Sequence, residues 1–159
     1  MLIATRSGKI NISKEKDTRL VAERLSKLIN LGDFILLTGN LGVGKTTFTK
    51  YIINSLQRIN RQAISEVPSP TFNITNEYQI KKILIKHYDL YRIKNEKELN
   101  NLGIQENLKK QITLVEWPEM VKKLKIKNII SLIFKYNKNY TERYLTIISK
   151  NKQLINEFK

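Results

Sequence analysis

Apolar positions along the chain fall into alternating rhythms. Ile10 and Ile12 alternate with polar neighbours, as in a short edge strand. Leu20, Val21, Leu25, Leu28 and Ile29 recur at helical spacing and predict a helix with one buried face. Ser13 or Asp17 is placed to cap it, and Gly32 stands where a helix C-terminus takes a left-handed residue. Phe34-Ile35-Leu36-Leu37 is a continuous apolar run, the pattern of a strand covered on both faces. Phe48, Ile52, Ile53 and Leu56 then return to helical spacing and predict a second helix packed on the sheet.

Residues 60–70 break the pattern. Val67-Pro68-Ser69-Pro70 fixes φ twice and disfavours helix before each proline, so an extended, stiffened connection is expected. Phe72, Ile74 and Tyr78 are spaced to face the core from a strand, and 78–86 reads as a hairpin. Asn95 with Glu98 forms a capping pair for a helix whose inward face carries Leu99 and Leu102 and which ends at Gly103. Residues 104–110 suit another short helical piece. Ile112-Thr113-Leu114-Val115-Glu116 is an apolar strand ending in an acid, and Pro118 suits the first turn of a helix to about 123. Segments 128–136 and 144–149 form an expected antiparallel pair, and the basic tail 150–159 is expected to be loosely held.

Between the first apolar strand and the second helix lies Thr38-Gly39-Asn40-Leu41-Gly42-Val43-Gly44-Lys45-Thr46-Thr47. It fits G-x-x-x-x-G-K-[ST] in the strand–loop–helix context that a phosphate-binding loop requires. Glycines let backbone N–H groups turn toward phosphate oxygens, and the helix start adds its positive dipole end. Lys45 is then placed for the β- and γ-phosphates and the Thr46 hydroxyl for Mg²⁺. Thr47 either touches the α-phosphate or caps the helix.

Composition bounds the rest. A chain of 159 residues, 41% hydrophobic and 27% charged, fits one globular domain over 1–159. It has no cysteine, which excludes a disulfide framework and Cys-based metal sites. No stretch nears the ~20 apolar residues of a membrane span, and the N-terminus is too polar for a signal peptide, so no membrane partner and a cytoplasmic location are expected. The net charge of +15 admits a surface for nucleic acid. It also follows from A/T-rich codons, which enrich Lys, Asn and Ile together. The charges are spread along the chain, which favours the codon explanation.

A phosphate loop needs a carboxylate at the end of a neighbouring strand to complete a Mg²⁺ shell. Glu116 ends the best such strand; Asp89, after Ile83-Leu84-Ile85, is the second candidate. Thr71, after Pro-Ser-Pro, is either a switch threonine that senses the γ-phosphate or a strand-start residue. His87, the only histidine, reads as a packed or hydrogen-bonded residue before it reads as a base. Trp117 reads as core before stacking platform, and Arg92 faces either phosphate or solvent.

Several segments together resemble one family. Gly32-Asp33, the loop 41–48, Ser69-Pro70-Thr71-Phe72, His87-Tyr88-Asp89-Leu90-Tyr91-Arg92, Leu102-Gly103 and Leu114-Val115-Glu116-Trp117-Pro118-Glu119 occur in the order found in TsaE (YjeE) proteins. These are bacterial P-loop ATPases of tRNA threonylcarbamoyladenosine (t6A) biosynthesis. The resemblance implies an α/β fold: a central, mostly parallel P-loop-type sheet flanked by helices, with antiparallel strands at its edge and C-terminus. It implies ATP/ADP and Mg²⁺ at the loop, with Asn40, Leu41, Gly42, Val43, Gly44, Lys45, Thr46 and Thr47 around the phosphates and Trp117 near the nucleotide. Thr46 and Glu116 would hold the metal; Lys45, Asp89, Thr71 and Glu116 would carry catalysis. Asn40 stands where the family commonly has an acid, and Val43 where it has Ala. The implied function is ATP hydrolysis in support of threonylcarbamoyl transfer to adenosine 37 of ANN-decoding tRNAs. The implied partners are TsaB and TsaD, with tRNA met indirectly or weakly and activity low without partners. The rival readings are a small-molecule or nucleoside kinase, which needs an acceptor pocket and lid, and a basic RNA-binding nucleotide switch.

Overall fold

The computed structural model describes residues 4–159. Twelve elements run in chain order: β1 (Thr5–Arg6), β2 (Ile10–Asn11), α1 (Glu15–Ser26), β3 (Phe34–Thr38), α2 (Lys45–Ile59), β4 (Thr75–Ile80), β5 (Ile83–Asp89), α3 (Glu96–Asn101), β6 (Gln111–Glu116), β7 (Ile129–Tyr136), β8 (Arg143–Ser149) and α4 (Lys152–Asn156). The strands make one sheet in the order β1-β8-β7-β3-β6-β5-β4, with β2 also paired to β8. The strands β7, β3, β6 and β5 run parallel to one another. Antiparallel strands extend both sides, β4 on β5 and β8 on β7. This is the α/β sheet expected from the sequence. Its two central strands, β3 and β6, are covered on both faces and so are largely apolar up to their last residues.

Two layers of side chains close the sheet. On one face Ile35, Leu37, Leu114, Leu132 and Ile147 pack with Ala22 and Leu25 of α1 and Phe48, Ile52 and Ile53 of α2. On the other, Phe34, Leu36, Tyr88 and Val115 pack with Leu99 of α3, Ile104 and Val121. The parallel register fixes the level at which the central strands end. Leu37 pairs with Glu116, and Glu116 with Asp89, so three strands stop side by side. Alternation then puts Leu37, Glu116 and Asp89 on the face that carries α2.

Several local expectations need correction. Helix α1 stops at Ser26, and Gly32 serves the turn before β3, where its N–H bonds Gln111 O at 2.8 Å. Neither Ser13 nor Asp17 caps α1: the cap is Lys14, with no side-chain bond, and Ser13 is drawn to the Arg143 backbone of β8. Residues 71–73 form a turn rather than a strand, which leaves Phe72 84% exposed. Pro118 starts no α-helix; turns lead into one 3-10 turn at Val121–Lys123. Residues 104–107 are turn, followed by a 3-10 turn at Leu108–Lys110. The tail is docked. Asn151 Oδ1 accepts from Leu154 N–H and caps α4, which buries Leu154 and Ile155, with Phe158 beyond it. Among the described residues no helix is long and apolar enough to cross a membrane.

Candidate nucleotide-binding site

The loop between β3 and α2 is shaped by what glycine permits. Gly44 precedes α2 at φ 111°, a left-handed conformation that side chains resist. A Cβ on Gly39 would lie 2.8 Å from Phe134 O and 2.9 Å from Val43 Cγ1, so only glycine passes under β7 here. Val43 is fully buried in the α1/α2 core and anchors the loop by its side chain. Tyr136 at the end of β7 donates its hydroxyl to Gly42 O at 3.1 Å. The larger Val43 therefore serves packing, and its own N–H is taken by Asn40 O at 3.2 Å.

Lys45 lies folded across this loop. Its Nζ donates to Gly39 O at 2.7 Å and Asn40 O at 2.9 Å, and sits 4.0 Å from the centre of the Trp117 ring. Burial holds the ammonium below its usual range, against the opposing pull of Glu116, Asp89 and Glu119. An anion beside it would offset the cost of burying that charge.

Next to Lys45, the Thr46 hydroxyl donates to Glu116 Oε2 at 2.9 Å. The other oxygen, Oε1, lies 2.8 Å from His87 Nε2, with His87 completely buried and Glu116 nearly so. The carboxylate is thus held from behind by the imidazole and presents one oxygen beside the threonine. Among the described residues no group of three or more His, Cys, Asp or Glu is arranged to hold a metal. A hydroxyl beside one carboxylate nevertheless fits Mg²⁺, which keeps waters and phosphate oxygens and uses only one or two protein carboxylates.

Asp89 stands beside Glu116, at the end of the neighbouring strand β5. Its Oδ2 accepts from Ser69 Oγ at 3.2 Å and its Oδ1 from Tyr91 N–H at 3.0 Å; Ser69 Oγ is 2.8 Å from Thr71 Oγ1. Ile74, the residue that closes the Thr71 turn, holds φ 65°, an outlier for a β-branched side chain. Its N–H bonds Pro70 O, and its carbonyl accepts from Asp89 N–H.

These groups enclose a cleft of about 320 Å³. It brings together Leu41, Gly42, Gly44, Lys45, Thr46, Thr47, Thr71, Asp89, Glu116 and Trp117, all expected from the sequence. Asn40 and Val43 are not in its lining: Asn40 is exposed and meets Lys45 through its carbonyl. Trp117, at φ 56°, turns out of β6 to lie against Tyr91, with ring centres 4.9 Å apart and planes tilted by 56°. Arg92 lines the cleft while its guanidinium rests 5.0 Å over the Phe72 ring.

Two features are not visible in the sequence. Ser69 joins Thr71 to Asp89; its only signal is the Ser-Pro-Thr context. A second hollow of about 190 Å³ opens beyond Gly44 and Thr47, lined also by Ile12, Glu15, Thr18 and Arg143. Arg143 comes from β8, and its Nη2 is fixed by Ser13 O at 2.9 Å. Nothing in the linear pattern marks it, because the hollow exists only once both ends of the chain meet the loop.

The family model described as threonylcarbamoyl adenosine biosynthesis protein TsaE matches residues 12–145. The Rickettsia conorii protein named tRNA threonylcarbamoyladenosine biosynthesis protein TsaE is 34% identical over 142 residues, covering 89% of this chain and 78% of its own. Its namesake in Rickettsia prowazekii is 35% identical over 140 residues, covering 88% and 94%. In fold, the chain superposes on the crystal structure of Bacillus subtilis YdiB with a TM-score of 0.71 at 24% identity, over 98% of this chain and 93% of that one. The match of the family model over residues 12–145, most of the chain, together with these relatives, shows that this protein belongs to the TsaE family.

Proposed function

We propose that this protein is a Mg²⁺-dependent ATPase that supports threonylcarbamoylation of adenosine 37 in ANN-decoding tRNAs, together with TsaB and TsaD, in the cytoplasm. The names of its relatives support the pathway. The observation that carries the chemistry is the Thr46–Glu116–His87 line beside Lys45 at the mouth of a glycine loop.

In this reading the loop N–H groups and the dipole of α2 bind the β-phosphate. Lys45 exchanges its two loop carbonyls for phosphate oxygens. Thr46 and Glu116 hold Mg²⁺, which supplies neutralisation of charge on the phosphate oxygens. Asp89, beside Glu116, orients the attacking water and takes up its proton, while Thr71 senses the γ-phosphate. The nucleoside end passes Thr47 into the second hollow, where Glu15 accepts hydrogen bonds and Arg143 lies against the base. The rim supports partner dependence. Leu41, Phe72 and Tyr91 are 78%, 84% and 62% exposed around the cleft, and Arg92 is held over Phe72. A partner that covers this apolar rim would exclude water and release or supplement that cation.

The test is ATP hydrolysis by the purified protein with and without TsaB–TsaD. Lys45→Ala and Glu116→Ala are each expected to lower partner-stimulated turnover by about 100-fold or more. Unchanged turnover in both would overturn the site. Unchanged t6A in tRNA after depletion of the protein would overturn the pathway.

A further inference from the structure

The face of the sheet that carries α1 and α2 is covered out to β8, but the opposite face is not. There the second core cluster shields β3, β5 and β6 and touches β7 only at Ile129; no residue of β8 belongs to it. Strand alternation leaves Ile133 and Lys135 of β7, paired with Thr146 and Tyr144 of β8, on an uncovered pleated surface. A hollow of about 440 Å³ lies there, with an Ile133, Thr146 and Tyr144 floor and Lys9, Lys135 and Lys138 around it.

The lysines are what give this face a partner class. Lys9, Lys135 and Lys138 are exposed, and among the described residues none of them joins an ion pair. Glu142, at the hairpin end, is already engaged: it accepts from the Tyr144 hydroxyl at 2.9 Å and from Asn137 Nδ2 at 3.4 Å. Three lysines against the single carboxylate of Glu142, around a floor of Ile133, Thr146 and Tyr144, leave a net positive face that matches a phosphodiester chain. The cations meet phosphates, and the floor meets bases or ribose. An acidic polypeptide would satisfy the cations but brings a planar ring only at its aromatic positions, whereas a nucleic acid brings a base with every phosphate. The charge of +15 adds long-range attraction to the same polyanion.

We infer that the outward face of β7 and β8 is a weak, salt-sensitive RNA-binding surface. Lys9, Lys135 and Lys138 neutralise backbone phosphates there, and Tyr144 receives a base. This surface is separate from the nucleotide cleft, so its failure would leave the ATPase reading untouched.

The experiment is fluorescence anisotropy of labelled bulk tRNA with the full chain across a salt series. Three proteins are compared: the wild type, the triple variant Lys9→Gln, Lys135→Gln, Lys138→Gln, and a control with Lys81→Gln, Lys82→Gln, Lys97→Gln. The first triple is expected to lose about tenfold or more in affinity and to flatten the slope of log K against log salt by about two to three. The control should keep most of both. Matching melting temperatures and ATP binding verify that all three are folded. Equal losses in both triples would make net charge, not this face, responsible and would overturn the inference. No loss in the first triple would do the same. Tighter binding of labelled polyglutamate than of tRNA at equal charge concentration, lost in the first triple, would reassign the face to an acidic protein.

Discussion

At the scale of single residues, the cleft is a set of groups held in place by neighbours the substrate never meets. His87 is the clearest case. Completely buried, it fixes one oxygen of Glu116, which leaves the other for Thr46. His87→Ala is expected to raise the Mg²⁺ concentration for half-maximal activity by about tenfold or more, the usual cost of losing a ligand's hydrogen-bond partner. His87→Gln, which keeps an N–H donor, should recover part of it. A drop in melting temperature without a change in Mg²⁺ dependence would reduce His87 to packing. Lys45 offers a second test. Its folded-state pKa is lowered, chiefly by burial, so the folded protein binds this proton less well than the unfolded chain. The burial cost is complete below the lowered pKa and fades as pH rises toward the ordinary value of 10.5. Urea unfolding should therefore show the stability difference between Lys45→Met and wild type shifting toward the wild type as pH is raised through that window. A difference independent of pH would mean that the Lys45 charge carries no such cost. Lys45, Thr46 and Glu116 are legible from the sequence because their motif and strand-end position are local. The Glu116–His87 contact is not, because it depends on which strands lie side by side.

At the scale of elements, the sequence is plain wherever periodicity and a local cap agree. Helix α3 is an example: Asn95 Oδ1 accepts from Glu98 N–H at 2.9 Å, and Glu98 returns a bond to Lys94 N–H at 3.0 Å. It misleads where charge masks a shorter pattern. The tail reads as basic, yet Leu154, Ile155 and Phe158 sit about one helical turn apart behind an Asn151 cap and dock on the sheet. Removing residues 152–159 is expected to destabilise the protein by at least about 2 kcal/mol, since it takes two fully buried side chains out of the core. Chemical denaturation reads this directly. An unchanged midpoint would show that α4 contributes little to the core. The segment 71–74 departs from expectation for the opposite reason. Its apolar residues alternate like a strand, but Pro70 and the left-handed Ile74 bend it into a turn whose bonds run to Asp89. That turn is what brings Thr71 to the cleft.

For the molecule as a whole, the proposal of a partner rests on the exposed apolar rim of the cleft. The apolar rim gives a direct test. Phe72 is exposed and outside the cleft lining, so Phe72→Ser should leave ATP affinity within about twofold and reduce partner-stimulated hydrolysis about tenfold, a common cost of losing an aromatic anchor. Equal stimulation of wild type and variant would move the docking surface elsewhere. The amino-acid sequence by itself determined the strand–loop–helix unit and most of the succession of α and β elements, and marked Lys45, Thr46 and Glu116 as candidates with Asp89 second, because hydrophobic period and glycine spacing act over a few residues. Only the tertiary structure decided that β6 lies between β3 and β5 with Leu37, Glu116 and Asp89 level. It likewise decided that His87 stands behind Glu116, that Arg143 reaches Gly44, and that one face of β7 and β8 is left open. Those facts rest on strand order and register, which are set by burying both faces of one sheet at once, and no local stretch of the chain encodes that balance.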